Sequence, residues 1–123
     1  MNRTPRQHPR FRAALPVVLK PLELEVPLRG HTSDISAGGL YVEMAFTQAV
    51  ATKVDITLWV GETKIRAKGI VVSNHPAFGN GVKFTELAEG DRTQLNRLLH
   101  TLGLQALCVK APAQDAELQQ ARR

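Results

Sequence analysis

From Leu15 to Phe84 the apolar residues recur at every second position, and beyond that they switch to helical spacing. Leu15, Val17 and Leu19 share one phase, whereas Leu22, Leu24 and Val26 share the other. The change falls at Lys20-Pro21 and predicts a bulge or an edge break in a first strand region running from Leu15 to Val26. Arg29 to Ile35 is expected to pair back on that region. Leu40, Val42 and Met44 then alternate with Tyr41 and Glu43, and Val54, Ile56, Leu58 and Val60 alternate with Asp55, Thr57 and Trp59. After a Gly61-Glu62 turn, Ile65, Ala67, Gly69 and Val71 alternate with Lys64, Arg66, Lys68 and Ile70, the pattern of a half-buried strand with a basic outer face. Asn74 to Asn80, which contains Pro76 and Gly79, reads as a loop, and Gly81-Val82-Lys83-Phe84 as a short last strand. Six strands with no helix between them predict an all-β fold, a small antiparallel barrel or sandwich. Leu95, Leu98, Leu99 and Leu102 mark one helix, with Gly103 placed to end it and the apolar stripe expected to close one end of the barrel.

One stretch departs from plain alternation. Asp34-Ile35-Ser36-Ala37-Gly38-Gly39 packs two polar side chains and two glycines between apolar neighbours. On a strand, Asp34 and Ser36 share a face and Ile35 and Ala37 take the other. Gly38 and Gly39 then bend the chain, because glycine tolerates positive φ and leaves room for a ligand or a second backbone.

Charge sharpens this picture more than composition does. The 123 residues, 43% hydrophobic and 22% charged, describe an ordinary globular domain. No apolar run is long enough to span a bilayer and residues 1–12 lack the apolar core of a secretory signal, so the expected location is cytoplasmic. The single Cys108 has no internal partner and reads as a reduced thiol rather than a nucleophile. Arg3, Arg6, Arg10, Arg12 and Lys20 precede the first acidic residue, Glu23, and these five equal the whole net charge of +5. The excess therefore belongs to an N-terminal arm. A basic arm on an otherwise neutral domain suggests an anionic ligand held by the arm. With Pro5 and Pro9 and no apolar periodicity, residues 1–13 are expected to be flexible when free, ahead of a 14–103 barrel plus helix and a 104–123 tail.

Arg6-Gln-His-Pro-Arg10 followed by Asp34-Ile-Ser36-Ala-Gly-Gly39 resembles the paired RxxxR and D/NxSxxG motifs of PilZ domains. The resemblance covers about residues 6–103. It implies a six-stranded antiparallel β-barrel closed by one C-terminal α-helix, a receptor for cyclic di-GMP with no catalytic activity and no metal or other cofactor. By position, Arg6 and Arg10 take the role of main ligand contacts, and Asp34, Ser36 and Gly39 supply the second motif. Arg3 and Arg12 stand as further phosphate contacts, against the plainer reading of solvated arm charge, and Gly38 is added beside Gly39. The chemistry of the residue types agrees. A guanidinium serves as a bidentate donor to guanine O6 and N7, as a phosphate clamp and as a stacking plate, whereas lysine does only the second. Asp34 and Ser36 are suited to a guanine's donor edge or to holding the arginines.

Other readings of the same residues are weaker. Taken without the arginines, Asp34 and Ser36 are more often a turn-stabilising pair. His31, Asp34 and Ser36 suggest a hydrolase, but strand alternation puts His31 on the opposite face. His8, His31, His75 and His100 lack metal-ligand spacing. Trp59 reads first as packing under the helix and second as a partner surface. A small basic barrel for single-stranded nucleic acid is disfavoured, since Phe11 and Tyr41 are the only aromatics near the arm. An interaction module that has lost its ligand is disfavoured because both motifs are complete. The expected role is a receptor and adaptor with no membrane insertion, whose output lies in an unidentified protein partner, in motility, biofilm or exopolysaccharide control.

Overall fold

The computed structural model describes residues 8–110, with side chains to Gln105. Seven strand segments precede one helix: β1 (Phe11–Arg12), β2 (Pro16–Pro21), β3 (Leu28–Ile35), β4 (Gly39–Glu43), β5 (Lys53–Val60), β6 (Thr63–His75), β7 (Gly79–Glu86) and α1 (Glu89–Lys110). All pairings are antiparallel, and the order β3-β2-β5-β6-β7-β4 closes on itself through β3–β4. This is a six-stranded barrel closed by one helix, as the resemblance implies. β1 and β2 both run along β3, so they are two pieces of the first barrel strand.

The barrel forms because each strand has one largely apolar face, interrupted by the buried Thr32 and Asn80. Val17, Leu19, Ile35, Leu40, Val42, Val54, Ile56, Leu58, Ile65, Val71 and Val82 point inward and are almost fully buried. Burial of each such side chain contributes roughly 1.5–3 kcal/mol. Leu95 and Leu98 of α1 complete this core, with Leu99 and Leu102 packed half-buried against it, so the helix plugs one end. The Asp91 carboxylate in its first turn accepts from Arg66 N at 2.9 Å, tying the helix start to β6.

Several features differ from the sequence expectations. The loop expected from Asn74 to Asn80 shrinks to Pro76–Phe78, because Asn74 pairs with Asn80 and His75 with Gly79 as β6 runs into β7. Leu22 to Val26 alternates but is not a strand. Leu22 N still donates to Lys53 O at 3.1 Å, but Leu24 N turns back to Pro21 O at 3.0 Å, so the pairing ends there and Leu22, Leu24 and Val26 stay exposed. With Phe46, Val50 and Phe78 they give the loops at the barrel end away from α1 an apolar surface. The helix does not stop at Gly103 but continues to Lys110, into the expected tail; the rest of that tail, from 111, lies outside the described residues. Gly103 instead faces the Phe11 ring, 3.7 Å from where a Cβ would sit. Phe11 and Arg12 pair with Ile35 and Asp34, so the arm's last residues already belong to the sheet. Trp59 lies on the outer face with the Lys64 ammonium 4.8 Å from its ring centroid, whereas the cleft beside α1 is lined by the inner-phase Val60 and Ile65.

The break between β1 and β2 is filled by one side chain. Thr32 is fully buried; its Oγ1 accepts from Leu15 N at 3.0 Å and donates to Ala13 O, while its own N–H donates to Leu15 O at 2.9 Å. The hydroxyl thus replaces the ladder bonds that the break removes. Just beyond it, Thr32 pairs with Val42 but Asp34 pairs with Tyr41, so Ser33 is an extra, bulged residue.

Two glycines at the β3–β4 turn behave differently. Neither has positive φ; Gly61 is the one glycine that does among the described residues. A Cβ on Gly39 would lie 2.2 Å from Val82 O, a backbone atom of the paired β7, so the glycine is what lets β4 and β7 approach. A Cβ on Gly38 would meet only the His8 ring, at 3.0 Å.

Two stability measurements check this account. Thr32→Val keeps the shape but leaves Leu15 N without a partner, so urea unfolding is expected to show a loss of about 1–3 kcal/mol that Thr32→Ser largely avoids. Gly39→Ala is expected to cost at least the roughly 1–3 kcal/mol of an overpacked core, and Gly38→Ala clearly less. Equal losses for the two alanines would contradict the assignment of the close backbone approach to Gly39.

Candidate functional site

The turn that carries the second motif is built by Ser36. Its N–H donates to Gly39 O at 2.8 Å, its Oγ accepts from Gly38 N at 3.1 Å, and the Oγ–H points to Gly39 O at 3.4 Å. Gly38 O accepts from Phe84 N at 2.8 Å, which pins the turn to β7. Ser36 is buried, and its hydroxyl is satisfied within the turn. Its place in the motif is therefore to shape the loop, the role that serine takes when it bonds locally to backbone. Gly39 likewise allows the close β4–β7 contact, and Gly38 is the glycine that faces the arm.

Asp34 projects from the barrel beside the arm. Its Oδ1 lies 3.5 Å from Arg10 Nη1, and Ser33 Oγ approaches Oδ2 at 3.5 Å. Both ion-pair partners keep solvent contact, so the pair contributes at most about 1 kcal/mol and leaves Arg10 free to exchange partners. Arg12 is the cross-strand neighbour of Asp34 in β1 and is exposed. The motif residues Arg10, Asp34, Ser36, Gly38 and Gly39 are thus brought together at one corner of the barrel. Arg3 and Arg6 lie outside the described residues.

From this corner a groove of about 420 Å³ runs across the outer wall over β4, β7 and β6. His8, Arg10, Ser36, Gly38, Gly39 and its cross-strand neighbour Lys83 line its upper part, and Tyr41, Ser73, His75 and Gly81 its lower part. A larger hollow of about 610 Å³ lies at the opposite, loop-bearing end, around Leu22, Leu24 and Val50, away from both motifs. The groove's lower residues were not singled out in the sequence. Tyr41 and Lys83 were legible there only as outward positions of their strands; the register adds that Tyr41 is the cross-strand neighbour of Asp34 and Lys83 that of Gly39.

The bulge at Ser33 also corrects the argument about His31. It shifts the alternation by one, so His31 and Asp34 share the outer face, opposite Glu43 and Tyr41. His31 Nε2 is nevertheless engaged with Glu43 Oε1 at 3.0 Å and Ser36 Oγ with the turn backbone, so no serine–histidine pair forms. Electrostatically, the clear perturbation is at Tyr41, whose phenol is raised above its ordinary range by burial and by the nearby Glu43 and Asp34 carboxylates. It stays protonated at neutral pH. No helix among the described residues is long and apolar enough to cross a membrane.

Comparisons with known proteins agree on one family. Solved structures with the same fold include the Bacillus subtilis inhibitor of motility MotI/DgrA, at 24% identity and a TM-score of 0.69 over 83% of this chain and 53% of that one. The PilZ domain of Escherichia coli YcgR, solved with c-di-GMP, matches at 15% identity and TM-score 0.70, covering 86% of this chain and 97% of that one. The K. pneumonia MrkH–c-di-GMP complex matches at 17% and 0.72, covering 87% and 55%. The chain therefore spans about half the length of the MotI/DgrA and MrkH chains, and at these identities the likeness is one of fold. No curated protein matches the sequence. The model of the PilZ domain, however, matches residues 4–101, most of the chain and both motifs, and on that ground the chain belongs to the PilZ domain family.

Proposed function

We propose that this chain is a cyclic di-GMP receptor that signals through a protein partner, with Arg6, Arg10, Asp34, Ser36 and Gly39 as its ligand motif. The observation that carries the reading is the meeting of Arg10, on the arm, with Asp34 and the Ser36–Gly39 turn, on the barrel, at the mouth of one groove. A cyclic dinucleotide offers two phosphodiesters and two guanine edges, and a guanidinium held loosely by a carboxylate is suited to both. Within the motif the roles divide: Arg6 and Arg10 contact the ligand, Asp34 orients Arg10, and Ser36 and Gly39 hold the loop in shape. Arg12, exposed beside Asp34, and Arg3 are further phosphate contacts. Two of the structural relatives were solved with c-di-GMP, and a third is an inhibitor of motility, which supports the ligand and the kind of process. No catalytic step is assigned.

The ligand acts as a clip between arm and barrel. Phe11 and Arg12 are already sheet-paired and His8 and Arg10 already border the groove, so on this reading the ligand orders the arm ahead of Phe11. Closing them over the groove changes the surface next to the site, and that changed surface is what a partner reads.

Calorimetry with cyclic di-GMP, beside GTP and cyclic AMP, is expected to show binding of the first alone. At a free ligand concentration of 100 times Kd, unfolding is then expected to be stabilised by roughly 2.7 kcal/mol. Arg6→Lys and Arg10→Lys retain charge but lose the fork and are expected to weaken binding by about 1–3 kcal/mol, with Arg3→Lys doing little. If all three bind like wild type, the arm acts as diffuse charge and a gel shift with single-stranded nucleic acid becomes the deciding measurement. Hydrogen exchange of residues 3–12 tests the clip: protection is expected to rise on ligand addition before Arg10 and to change little at Phe11 and Arg12. An arm equally protected with and without ligand refutes it.

A further inference from the structure

The groove's most distinctive side chain is one that the motifs do not include. Tyr41 is the chain's single tyrosine and stands on the outer phase of β4, opposite the core-facing Leu40 and Val42. The registers place it in one cross-barrel row: Arg12 beside Asp34, Asp34 beside Tyr41, Tyr41 beside Gly81, and Gly81 beside Ser73. We propose that Tyr41 is the stacking platform for a guanine of the ligand, held flat against the barrel wall by His75. This rests on the cyclic di-GMP reading above and adds a specificity-determining residue to it.

The geometry of the ring carries the inference. A Cβ on Gly79 would lie 2.7 Å from Tyr41 Cε2 and 3.0 Å from Cζ, and one on Gly81 would lie 3.7 Å from Cδ1. The ring therefore lies over two positions where β7 has no side chain, in place of standing up from the sheet. Its hydroxyl reaches His75 Nδ1 at 2.9 Å on the far strand, with the two rings 5.7 Å apart and tilted by 50°. That bond fixes the ring at both ends, at its own backbone and at β6. One face is spent on the glycines, and the other borders the groove that Arg10 and Lys83 also line.

A plate of this kind is what a flat base needs. Aromatic stacking is tolerant of base identity, so Tyr41 supplies affinity while Arg10, oriented by Asp34 at the adjoining end of the row, reads the edge. Lys83, the neighbour of Gly39, offers an ammonium for a phosphodiester on the same wall. The phenol, raised further above its ordinary range, is uncharged at neutral pH and does not repel an anionic ligand. Because the hydrogen bond to His75 holds the ring before any ligand arrives, little side-chain freedom is lost on stacking.

The test joins two readouts on the full chain. In wild type, the ring protons of the sole tyrosine are followed by NMR as cyclic di-GMP is added, and a marked upfield shift from the guanine ring current is expected. By calorimetry, Tyr41→Leu is expected to bind roughly 5- to 150-fold more weakly, the range that one lost base–aromatic stack gives. Tyr41→Phe, which restores the plate without its tether, is expected to recover most of that loss, and His75→Ala to fall between the two. Binding by wild type that vanishes in Arg10→Ala but is unchanged in Tyr41→Leu, with no shift of the Tyr41 ring, overturns this inference and leaves the receptor reading standing. Absence of any binding by wild type overturns both. Should Tyr41→Leu fail to fold, the wild-type ring shift decides alone: its presence supports the platform and its absence refutes it.

Discussion

A single extra residue in β3, Ser33, decides what the barrel presents to its arm. Without it, strict alternation would put Asp34 on the face opposite His31 and Glu43; with it, Asp34 turns outward to sit beside Tyr41 and Arg12, and Ile35 turns inward to the core. Such a shift would normally cost the ladder a bond. Here the cost is offset next door, where the Thr32 hydroxyl bonds Leu15 N and Ala13 O across the gap between β1 and β2. The bulge and the broken strand are one device, and it lies where the arm leaves the barrel. A bulge that re-aims a side chain beside a binding site is a familiar use of the irregularity.

The opposite wall is set by the absence of side chains. Gly39 allows β4 and β7 to close up, and Gly79 and Gly81 leave β7 low enough for an aromatic ring to lie across it. The groove is therefore a strip of sheet stripped of its outward side chains and bordered by longer ones, Arg10 and Lys83 on one side, Tyr41 and His75 on the other. Such a shape suits a flat, charged ligand better than a globular one.

Much of this was legible in the sequence, and the failures have physical causes. The strands were visible because a barrel gives each of them one buried face, and period-2 alternation records that face. Leu22 to Val26 misled because alternation reports a pattern, not a partner, and the pairing ends where Leu24 N turns back to Pro21 O. The Ser33 bulge leaves no compositional trace, which is why His31 was assigned the wrong face. Gly103 carries the usual mark of a helix end, yet the helix continues because Phe11 packs against that glycine and Leu102 packs against the core. The motif residues were found by their spacing, but their division of labour was not. That Ser36 holds the turn and Gly39 allows the strand contact follows only from where Gly38 N, Gly39 O and Val82 O lie.

The energetics of the arm follow from how unevenly it is held. Phe11 and Arg12 are fixed by sheet pairing and by the contact of Phe11 with α1, whereas Arg10, one residue earlier, is held by a solvent-exposed ion pair alone. Ordering a residue's backbone costs on the order of 1–2 kcal/mol, so each arm residue already paired removes that much from the cost of binding. On the proposed receptor reading, the change on ligand binding begins between Arg10 and Phe11, and there the weak Arg10–Asp34 pair is useful. It keeps the guanidinium within reach of the groove without committing it, so that an arriving phosphodiester or guanine edge replaces a contact worth little. A strong, buried pair at the same place would have to be broken first, and the ligand would lose as much in freeing Arg10 as it gained in binding it.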